Sequence, residues 1–327
     1  MTTQIARTSS VLPVLDLGGL PDDEAAEVNI GRQLDAAFRG AGFCYFSNTG
    51  IDPALIEAVF DASRRFHALP MRTKRAIATN SFHRGYIAPK SSLIETSSVA
   101  RVTRPNDSDS FMLMQEVPPE DPRFGTFLNG PNQWPEGLAD FRGPVQAYDR
   151  AMHDFCRRLL RPIARALDLP PDALRRYFKQ PTTFLRLLHY PPQAADAPDD
   201  AFGSAPHTDF GFITVLAQDG VGGLEVRPRG GDWIAAPPIP GTFVVNVADM
   251  LARWTNDRWQ STPHRVKNLS GVDRYSCPYF FDMDLDCTVA CLENCQSPVN
   301  PPRYDPVLYA DYVRELLDHN YSYRKSA

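Results

Sequence analysis

The stretch SAPHTDFGFITVL, residues Ser204–Leu216, places a histidine and an aspartate two positions apart, just before an apolar run that is rich in β-branched residues. Such a run predicts a strand. In an extended chain residues i and i+2 point to the same face, so His207 and Asp209 would direct an imidazole and a carboxylate toward one point. Two interpretations stay open from these residues alone. Either the two side chains hydrogen-bond only to each other, or both of them bind a third group that lies between them.

Short strand-like runs of this kind dominate the second half of the chain. They are FLRLLHY, FGFITVLAQ, GLEVRP, TFVVNVADML, HRVKN and RYSCPYFF, and Gly, Pro, Asp and Asn separate them. Short strands divided by turn residues predict a sandwich or a closed double-sheet barrel of the jelly-roll type. The fold class that we expect is mainly β with flanking helices.

Helical patterns occupy the first half and the end of the chain. They are QLDAAFRG, PALIEAVFDASRRFHAL, MRTKRAIA, residues 141–167 and the closing segment VLYADYVRELLDHN. Residues 80–137 are predicted to be irregular, and long irregular segments often serve as binding loops or lids. No linker resembles a domain boundary. We therefore expect one domain over residues 1–327, with a helix-rich region at about 1–170 and a β core at about 180–300.

The composition favours a globular protein with a small-molecule partner. The hydrophobic fraction is 43%, and a mild net charge of −5 is spread along the chain. No basic tract suits nucleic acid, and no apolar run approaches the roughly 18–20 residues that span a bilayer. The first residues contain no secretory hydrophobic segment. We expect a cytoplasmic protein that binds neither nucleic acid nor membranes.

The segment CTVACLENC spaces Cys287, Cys291 and Cys295 four residues apart, so that on a helix they would share a face. Structural zinc sites more often combine a C-x₂-C pair with a second ligand pair, and no second pair is evident. A cytoplasmic location would keep these thiols reduced. Small, buried apolar residues are therefore the favoured interpretation of the three cysteines.

A metal site at His207 and Asp209 needs a third ligand from elsewhere in the chain. Four of the seven histidines lie in helical or loop contexts typical of surface or packing positions: His67, His83, His153 and His319. His189 lies in FLRLLHY, and His264, in QSTPHRVKN, begins a strand-like segment. A His-x-Asp pair with one distant histidine is the ligand set of the facial triad of non-haem Fe(II) oxygenases, which leaves three coordination positions open. Zinc would favour tetrahedral closure and cannot change its oxidation state.

A candidate receptor for a carboxylate follows ten residues after His264. In RYSCPYF, Arg274 and Ser276 lie two apart, on one face of a predicted strand. The guanidinium offers a planar, permanently charged fork, and the hydroxyl adds a donor. A surface ion pair would explain the arginine if it stood alone. Beside a candidate iron ligand, a carboxylate clamp is the favoured interpretation.

The sequence resembles the isopenicillin N synthase-like branch of the 2-oxoglutarate- and Fe(II)-dependent oxygenases. The matching segments are HTDFGFITVLAQDGVGGLEV, TFVVNVADMLARWTND, STPHRVKN and RYSCPYFF, with LPVLDL, AAFRGAGFCYFSNTGID and RGYIAP in the first part of the chain. The resemblance implies a double-stranded β-helix core, with the iron held by His207, Asp209 and His264. It also implies that Arg274 and Ser276 hold the far carboxylate of 2-oxoglutarate.

Three further positions follow from the same resemblance. Tyr190 matches a tyrosine that is often found near the cosubstrate. Many plant members carry an asparagine two residues before it, whereas this chain has Leu188, so that contact is missing or replaced. Arg186 falls where bacterial ethylene-forming members also carry an arginine. It could meet an anionic cosubstrate or substrate, and an ordinary ion pair explains it equally well.

The resemblance implies a dioxygenase with Fe(II) as its metal, 2-oxoglutarate and O₂ as cosubstrates, and ascorbate as a candidate reductant. The enzyme would oxidise an unactivated C–H bond of a small organic molecule by hydroxylation, desaturation or cyclisation, and would release succinate and CO₂. No catalytic side chain beyond the metal ligands is required. Apolar residues are the candidates for the substrate pocket, although core packing explains each of them about as well: Phe111, Met112, Met114, Phe210, Phe212 and Phe281.

Two alternatives remain open at this point. One keeps the iron site but uses it for oxidase chemistry or for ethylene formation. The other belongs to a different class, a catalytically inactive jelly-roll binding protein. The complete triad and the Arg-x-Ser pair argue against the binding protein, because such a module does not need an open redox-metal site.

Overall fold

The computed structural model describes residues 12–18, 20, 23–97, 99–194 and 196–325. The α-helices in the described part of the chain are Glu24–Gly40 (α1), Pro53–His67 (α2), Met71–Ala76 (α3), Arg142–Ala166 (α4), Asp249–Trp254 (α5), Tyr309–Asn320 (α6) and Ser322–Lys325 (α7). Short 3₁₀ turns lie at Arg175–Tyr177 and Glu293–Cys295. Among these helices none is long and apolar enough to cross a membrane.

The strands form the larger part of the molecule. They are Val14–Asp16 (β1), Phe43–Ser47 (β2), Gly85–Ile87 (β3), Asp109–Met114 (β4), Thr182–Tyr190 (β5), Ser204–His207 (β6), Ile213–Gln218 (β7), Leu224–Val226 (β8), Ile234–Ala235 (β9), Thr242–Val247 (β10), His264–Val266 (β11), Arg274–Asp282 (β12), Thr288–Val289 (β13) and Val307–Leu308 (β14).

Two sheets make up the β core. The larger has the strand order β1-β2-β10-β7-β12-β5-β4-β3, and the smaller has the order β6-β11-β8-β9. One buried apolar cluster joins the two sheets, with Phe43, Leu188 and Val244 from the larger and Val226 and Val266 from the smaller. A space therefore lies between two facing sheets, which is the arrangement of a jelly roll.

The helices cover the opposite face of the larger sheet. Helix α4 packs against α1 and α2, and its buried stripe joins the main core. The backbones of α1 and α4 approach closely at Gly31, where an added Cβ would lie 3.0 Å from the Pro162 carbonyl oxygen and the Ala166 amide nitrogen. Asp23 caps α1 by accepting a hydrogen bond from the Ala26 amide.

The structure differs from the sequence expectations in two segments. Residues 80–137, predicted to be irregular, contain β3 and β4, and all six residues of β4 are buried between β3 and β5. The end of TFVVNVADML is helix α5 rather than strand. CTVACLENC forms β13 and a 3₁₀ turn, with Cys287 and Cys295 buried and Cys291 half-buried. The helix predicted at 141–167 is confirmed as α4.

Candidate metal and cosubstrate site

The pairing of β6 with β11 brings the two distant histidines together. His207 ends β6 and His264 begins β11, and the two residues are direct partners in the antiparallel register. Their ring centroids lie 4.3 Å apart. Two residues far apart in the chain are thus neighbours because of strand pairing alone.

Asp209 completes the group from the turn that follows β6. Its Oδ1 lies 3.8 Å from His207 Nε2 and 3.6 Å from His264 Nε2, and the three ligand atoms all lie within 4.8 Å of one another. Its other oxygen, Oδ2, accepts hydrogen bonds from Thr214 Oγ1 at 2.5 Å and Asn246 Nδ2 at 2.8 Å. These two donors fix the carboxylate so that Oδ1 faces the histidines.

Backbone carbonyls orient both imidazoles. His207 Nδ1 lies 2.8 Å from the Ala205 carbonyl oxygen, and His264 Nδ1 lies 3.2 Å from that of Thr262. A carbonyl accepts only from a protonated Nδ1, which leaves each Nε2 with a free lone pair. Burial lowers the pKa of His207 to about 4, so its ring is neutral near pH 7. For Asp209, burial acts to raise the pKa, but His264, His207 and the two hydrogen-bond donors outweigh it and hold the pKa below its usual value.

Two imidazole nitrogens and one carboxylate oxygen form a donor set that suits Fe(II). Within the described residues this is the one group of three or more histidine, cysteine or carboxylate side chains that could hold a metal ion. Cys287, Cys291 and Cys295 do not form such a group there. The geometry agrees with an open, three-ligand site.

An inner cavity of about 60 Å³ runs from the triad to Arg274. Arg274 is only 1% exposed. It donates from Nη2 to Gln218 Oε1 at 3.0 Å and from Nη1 to Ser276 Oγ at 3.4 Å, and its Cζ lies 4.7 Å from the centre of the Tyr190 ring. Among the described residues no carboxylate lies within 4.0 Å of this guanidinium, and its buried Nε has no hydrogen-bond partner.

A buried cation without a counter-charge is costly unless a ligand supplies the charge. The inner cavity thus offers a metal-binding group at one end and an unbalanced guanidinium at the other, which fits a small molecule that is anionic at both ends. Leu188 lines the same cavity, so this position presents an apolar side chain and no amide to a ligand there. Gln218 is a contact of Arg274 that sequence reasoning missed. The two residues lie 56 positions apart, on adjacent strands β7 and β12.

An outer cavity of about 90 Å³ adjoins the triad on its other side. Of the residues predicted for a substrate pocket, Met112 and Phe210 line it. The structure places the other four elsewhere. Phe111, Phe212 and Phe281 are fully buried in the main core, and Met114 lines a separate cavity.

Two residues that the sequence did not suggest for the pocket also line the outer cavity. Phe280 lies beside Phe281 on β12 but points between the sheets, because successive residues of a strand face opposite sides. His83, expected at a surface or packing position, lies at this cavity and is hydrogen-bonded through Nδ1 to the Tyr323 hydroxyl. Burial, with a contribution from the nearby charge of Arg186, lowers the pKa of His83 well below its usual value.

Helix α6 is tied to the turn that carries Asp209. The Tyr309 hydroxyl donates to Asp282 Oδ2 at 2.6 Å, and Asp282 Oδ1 accepts from the Phe212 amide at 2.7 Å. At Gly211 an added Cβ would lie 1.6 Å from Asp282 Oδ1, so this position has room only for glycine.

A second bridge runs through Asp249. Its Oδ2 accepts from the Tyr312 hydroxyl at 2.9 Å and from Thr208 Oγ1 at 3.3 Å. The two tyrosines are three residues apart on one face of α6. Helix α6 is therefore linked to both ends of the metal-binding turn, at Thr208 through Asp249 and at Phe212 through Asp282. Only the folded structure reveals these links.

Comparisons with known proteins agree with this chemistry. Residues 181–283 match the 2OG-Fe(II) oxygenase superfamily, and residues 12–137 match the family described as non-haem dioxygenase in morphine synthesis N-terminal. A 2-oxoglutarate-Fe(II) type oxidoreductase of Emericella nidulans is 34% identical, over 94% of this chain and 90% of its own. A 2-oxoglutarate-dependent dioxygenase of Monascus ruber is 37% identical, over 86% of this chain and 87% of its own.

A solved structure is similar over nearly the whole chain. The crystal structure of a full-length Neurospora crassa protein, in complex with alpha-KG and thymine, superposes with a TM-score of 0.81 at 28% identity, over 94% of this chain and 97% of that one. The chain belongs to the 2-oxoglutarate- and Fe(II)-dependent oxygenases, in their isopenicillin N synthase-like superfamily. It is an oxidoreductase of small molecules that uses Fe(II), 2-oxoglutarate and O₂, and the predicted jelly-roll fold is confirmed.

Proposed function

We propose that His207, Asp209 and His264 hold the iron of this oxygenase, and that Arg274 and Ser276 bind the far carboxylate of 2-oxoglutarate beside Tyr190. The enzyme oxidises an unactivated C–H bond of a small organic substrate and releases succinate and CO₂. One observation carries this assignment: a converging His, His and Asp donor set and a buried, unbalanced arginine lie at opposite ends of the same cavity.

The residues of this chain would act mainly by positioning. When bound, iron would activate O₂, which is the oxidant, and 2-oxoglutarate would supply two of the four electrons that O₂ accepts, the organic substrate supplying the other two. Asp209 would bind the metal through Oδ1, and both imidazoles would present Nε2 to it because each Nδ1 faces a backbone carbonyl. Arg274 sets the orientation of the cosubstrate through a charge-assisted contact that water cannot easily replace in so buried a place. No side chain needs to move a proton.

Substrate would enter the outer cavity, where Met112, Phe210 and Phe280 present apolar surface beside the triad. The fixed geometry determines which C–H bond lies nearest the metal. A compact organic molecule is the substrate class that this cavity fits. The thymine bound in the Neurospora crassa neighbour is a molecule of that kind.

The metal assignment is tested with Asp209→Ala, compared with Asp311→Ala, which removes an exposed carboxylate of α6. Anaerobic titration calorimetry with Fe(II) should show at least about a 100-fold loss of affinity in the first variant and none in the second, because a ligand is lost only in the first. Circular dichroism should show that both variants stay folded. Unchanged Fe(II) affinity in Asp209→Ala would refute the assignment.

Product analysis separates this reaction from oxidase or ethylene-forming chemistry on the same iron site. A coupled oxygenase releases one succinate for each substrate oxidised and depends on that second organic substrate. Ethylene release, or turnover that needs no 2-oxoglutarate, would favour one of the alternatives instead.

A further inference from the structure

Arg186 lies at the boundary between the inner and the outer cavity and lines both. It belongs to β5, opposite Met112 of β4 in the sheet register, and its side chain points between the sheets. Its Nε donates to Ser110 Oγ at 3.1 Å. This contact holds the guanidinium in place and leaves its two terminal nitrogens toward the cavities.

The two terminal nitrogens of Arg186 are unused. Among the described residues no hydrogen bond reaches Nη1 or Nη2, and no carboxylate lies within 4.0 Å. An ordinary structural ion pair, which remained open from the sequence, is therefore ruled out for the described residues. Four N–H donors in a planar fork remain for a ligand, which is the geometry that binds a carboxylate in a bidentate manner.

The charges around the two cavities leave one positive charge over. A ferrous ion, ionised Asp209, dianionic 2-oxoglutarate and Arg274 together sum to zero, so Arg186 adds a charge that none of them balances. Among the described residues lining the cavities, Asp282 is the only other carboxylate, and it already accepts hydrogen bonds from Tyr309 and the Phe212 amide. Arg186 is half-buried, and a charge that is partly withdrawn from water and has no protein partner favours a ligand that brings its counter-charge.

The position of Arg186 favours the substrate as the source of that counter-charge. Arg274 lines only the inner cavity and already offers a charged partner to 2-oxoglutarate. His83 lines only the outer cavity, and the charge of Arg186 is close enough to add to burial in lowering the pKa of His83. The guanidinium charge therefore reaches the substrate end of the site as well as His207, which lines both cavities.

The rest of the outer cavity is compact and largely apolar. Its volume of about 90 Å³ is smaller than the ~150 Å³ of an apolar cavity that accepts one benzene. Its apolar walls come from β4 and β5 of the larger sheet, from two loops and from α6: Met112, Phe184, Ile94, Phe210, Val313 and Leu317. A ligand suited to these walls has a small hydrocarbon body.

We propose that Arg186 determines substrate specificity by binding a carboxylate, so that the substrate class is a compact organic acid with an apolar body. This inference rests on the proposed function, because it assumes that 2-oxoglutarate occupies the inner cavity. It assigns Arg186 to the substrate, and Arg274 alone to the cosubstrate. The carboxylate would anchor the substrate and so fix which of its C–H bonds lies beside the metal.

The first experiment asks which ligand Arg186 binds. The affinity for 2-oxoglutarate is measured by anaerobic calorimetry with Fe(II) in the wild type, Arg186→Gln and Arg274→Gln. We expect at least about a 30-fold loss in Arg274→Gln and less than about a threefold change in Arg186→Gln, so that each variant is the control for the other. A loss in Arg186→Gln as large as that in Arg274→Gln would overturn the inference and assign both arginines to the cosubstrate.

The second experiment asks whether a carboxylate is recognised. Propanoate, 2-methylpropanoate, 3-methylbutanoate and cyclopropanecarboxylate, whose hydrocarbon bodies are smaller than benzene, are titrated anaerobically into the protein loaded with Fe(II) and 2-oxoglutarate, each beside its neutral primary amide. At least one acid should bind about 10-fold or more tightly than its amide, the size expected for a charged hydrogen-bonded pair. That preference should fall below about threefold in Arg186→Gln.

Three outcomes contradict the inference: amides that bind as well as their acids, a preference that survives in Arg186→Gln, or no binding by any of the four acids. Each of them would be observed with Fe(II) and 2-oxoglutarate binding intact, which leaves the proposed function standing. A wild type that binds neither Fe(II) nor 2-oxoglutarate would instead refute the proposed function itself.

Discussion

Replacing Arg274 with methionine should separate binding from stability, because this residue serves a ligand rather than the fold. The side chain is 1% exposed, has no carboxylate partner among the described residues, and makes hydrogen bonds only to Gln218 and Ser276. Loss of its charge removes the penalty of burying an uncompensated cation, and methionine keeps much of the volume. Two lost hydrogen bonds offset part of this gain. For the metal-free protein we expect a free energy of unfolding between unchanged and about 2 kcal/mol higher.

Cosubstrate affinity should change in the opposite sense in the same variant. A buried carboxylate that loses its charge-assisted partner is destabilised by about 2–5 kcal/mol. This corresponds to a 2-oxoglutarate affinity that is lower by about 30-fold to several thousand-fold. Anaerobic calorimetry with Fe(II) measures the affinity, and urea denaturation of the metal-free protein measures the stability.

Arg84→Met is the matched control. Arg84 is also 1% exposed, but its guanidinium donates to three backbone carbonyls, those of Phe82, Gln115 and Leu128, at 2.8–2.9 Å. Its loss leaves one buried and two part-buried carbonyl acceptors without this donor, so stability should fall by about 3 kcal/mol while 2-oxoglutarate affinity stays unchanged. The reasoning is refuted if Arg274→Met loses as much stability as Arg84→Met and still binds 2-oxoglutarate within about threefold of the wild type.

Two further predictions concern groups outside the cosubstrate site. Tyr309→Phe removes the donor to Asp282 and should lower the free energy of unfolding by about 1–3 kcal/mol. The control, Tyr148→Phe, removes a buried hydroxyl that has no hydrogen-bond partner among the described residues, and should change the free energy of unfolding by less than about 0.5 kcal/mol. Equal losses by urea denaturation would contradict this account of α6. Burial, opposed by Arg150, raises the pKa of Asp149 to about 7, and its Oδ1 has no partner in the described chain. A carboxyl whose pKa is raised in the folded protein holds its proton more tightly there than in the unfolded chain. The contribution of Asp149 to the free energy of unfolding is therefore complete below about pH 4 and is lost as the pH rises toward about 7, by at most about 1.4 kcal/mol per pH unit. Asp149→Asn should flatten this part of the pH profile, and parallel profiles for the two proteins would show that Asp149 does not titrate in this way.

The centre of the site was predictable because its geometry follows from local rules. His207 and Asp209 are two apart, and the extended-chain rule predicts that their side chains share one face. The structure ends β6 at His207 and places Asp209 in the following turn, and the two side chains still converge. His264 could be named only because the resemblance to a family supplied it. No pattern in the chain indicates that β11 pairs with β6, since the register that sets His264 opposite His207 belongs to the sheet.

The pocket residues show how the alternation of side chains along a strand leads to a wrong prediction when the wrong one of two neighbouring residues is taken to face the cavity. Arg274 and Ser276 point between the sheets, so period-2 alternation along β12 continues through Pro278 to Phe280, and Phe281 must face the other way. The same count was available from the sequence and would have selected Phe280. No count could have supplied Gln218 or Asn246, because they reach the site from neighbouring strands and their partners are set by sheet order.

The property that distinguishes a ligand-binding cation from a structural one is also invisible in the sequence, because it is the absence of a partner. Lys74 is buried as well, but its ammonium donates to Asp109 Oδ2 and to the His67 carbonyl, so its charge is balanced within the fold. Arg84 also lacks a carboxylate within 4.0 Å among the described residues, but it donates to three backbone carbonyls away from the metal-binding group. Arg274 and Arg186 lack such a carboxylate as well and instead line the cavities beside the metal-binding group. A fold does not gain stability from charges held in this way. We therefore explain these two arginines by the ligands that they bind, because the anionic groups of the ligands supply the negative counter-charge that the protein lacks at these positions.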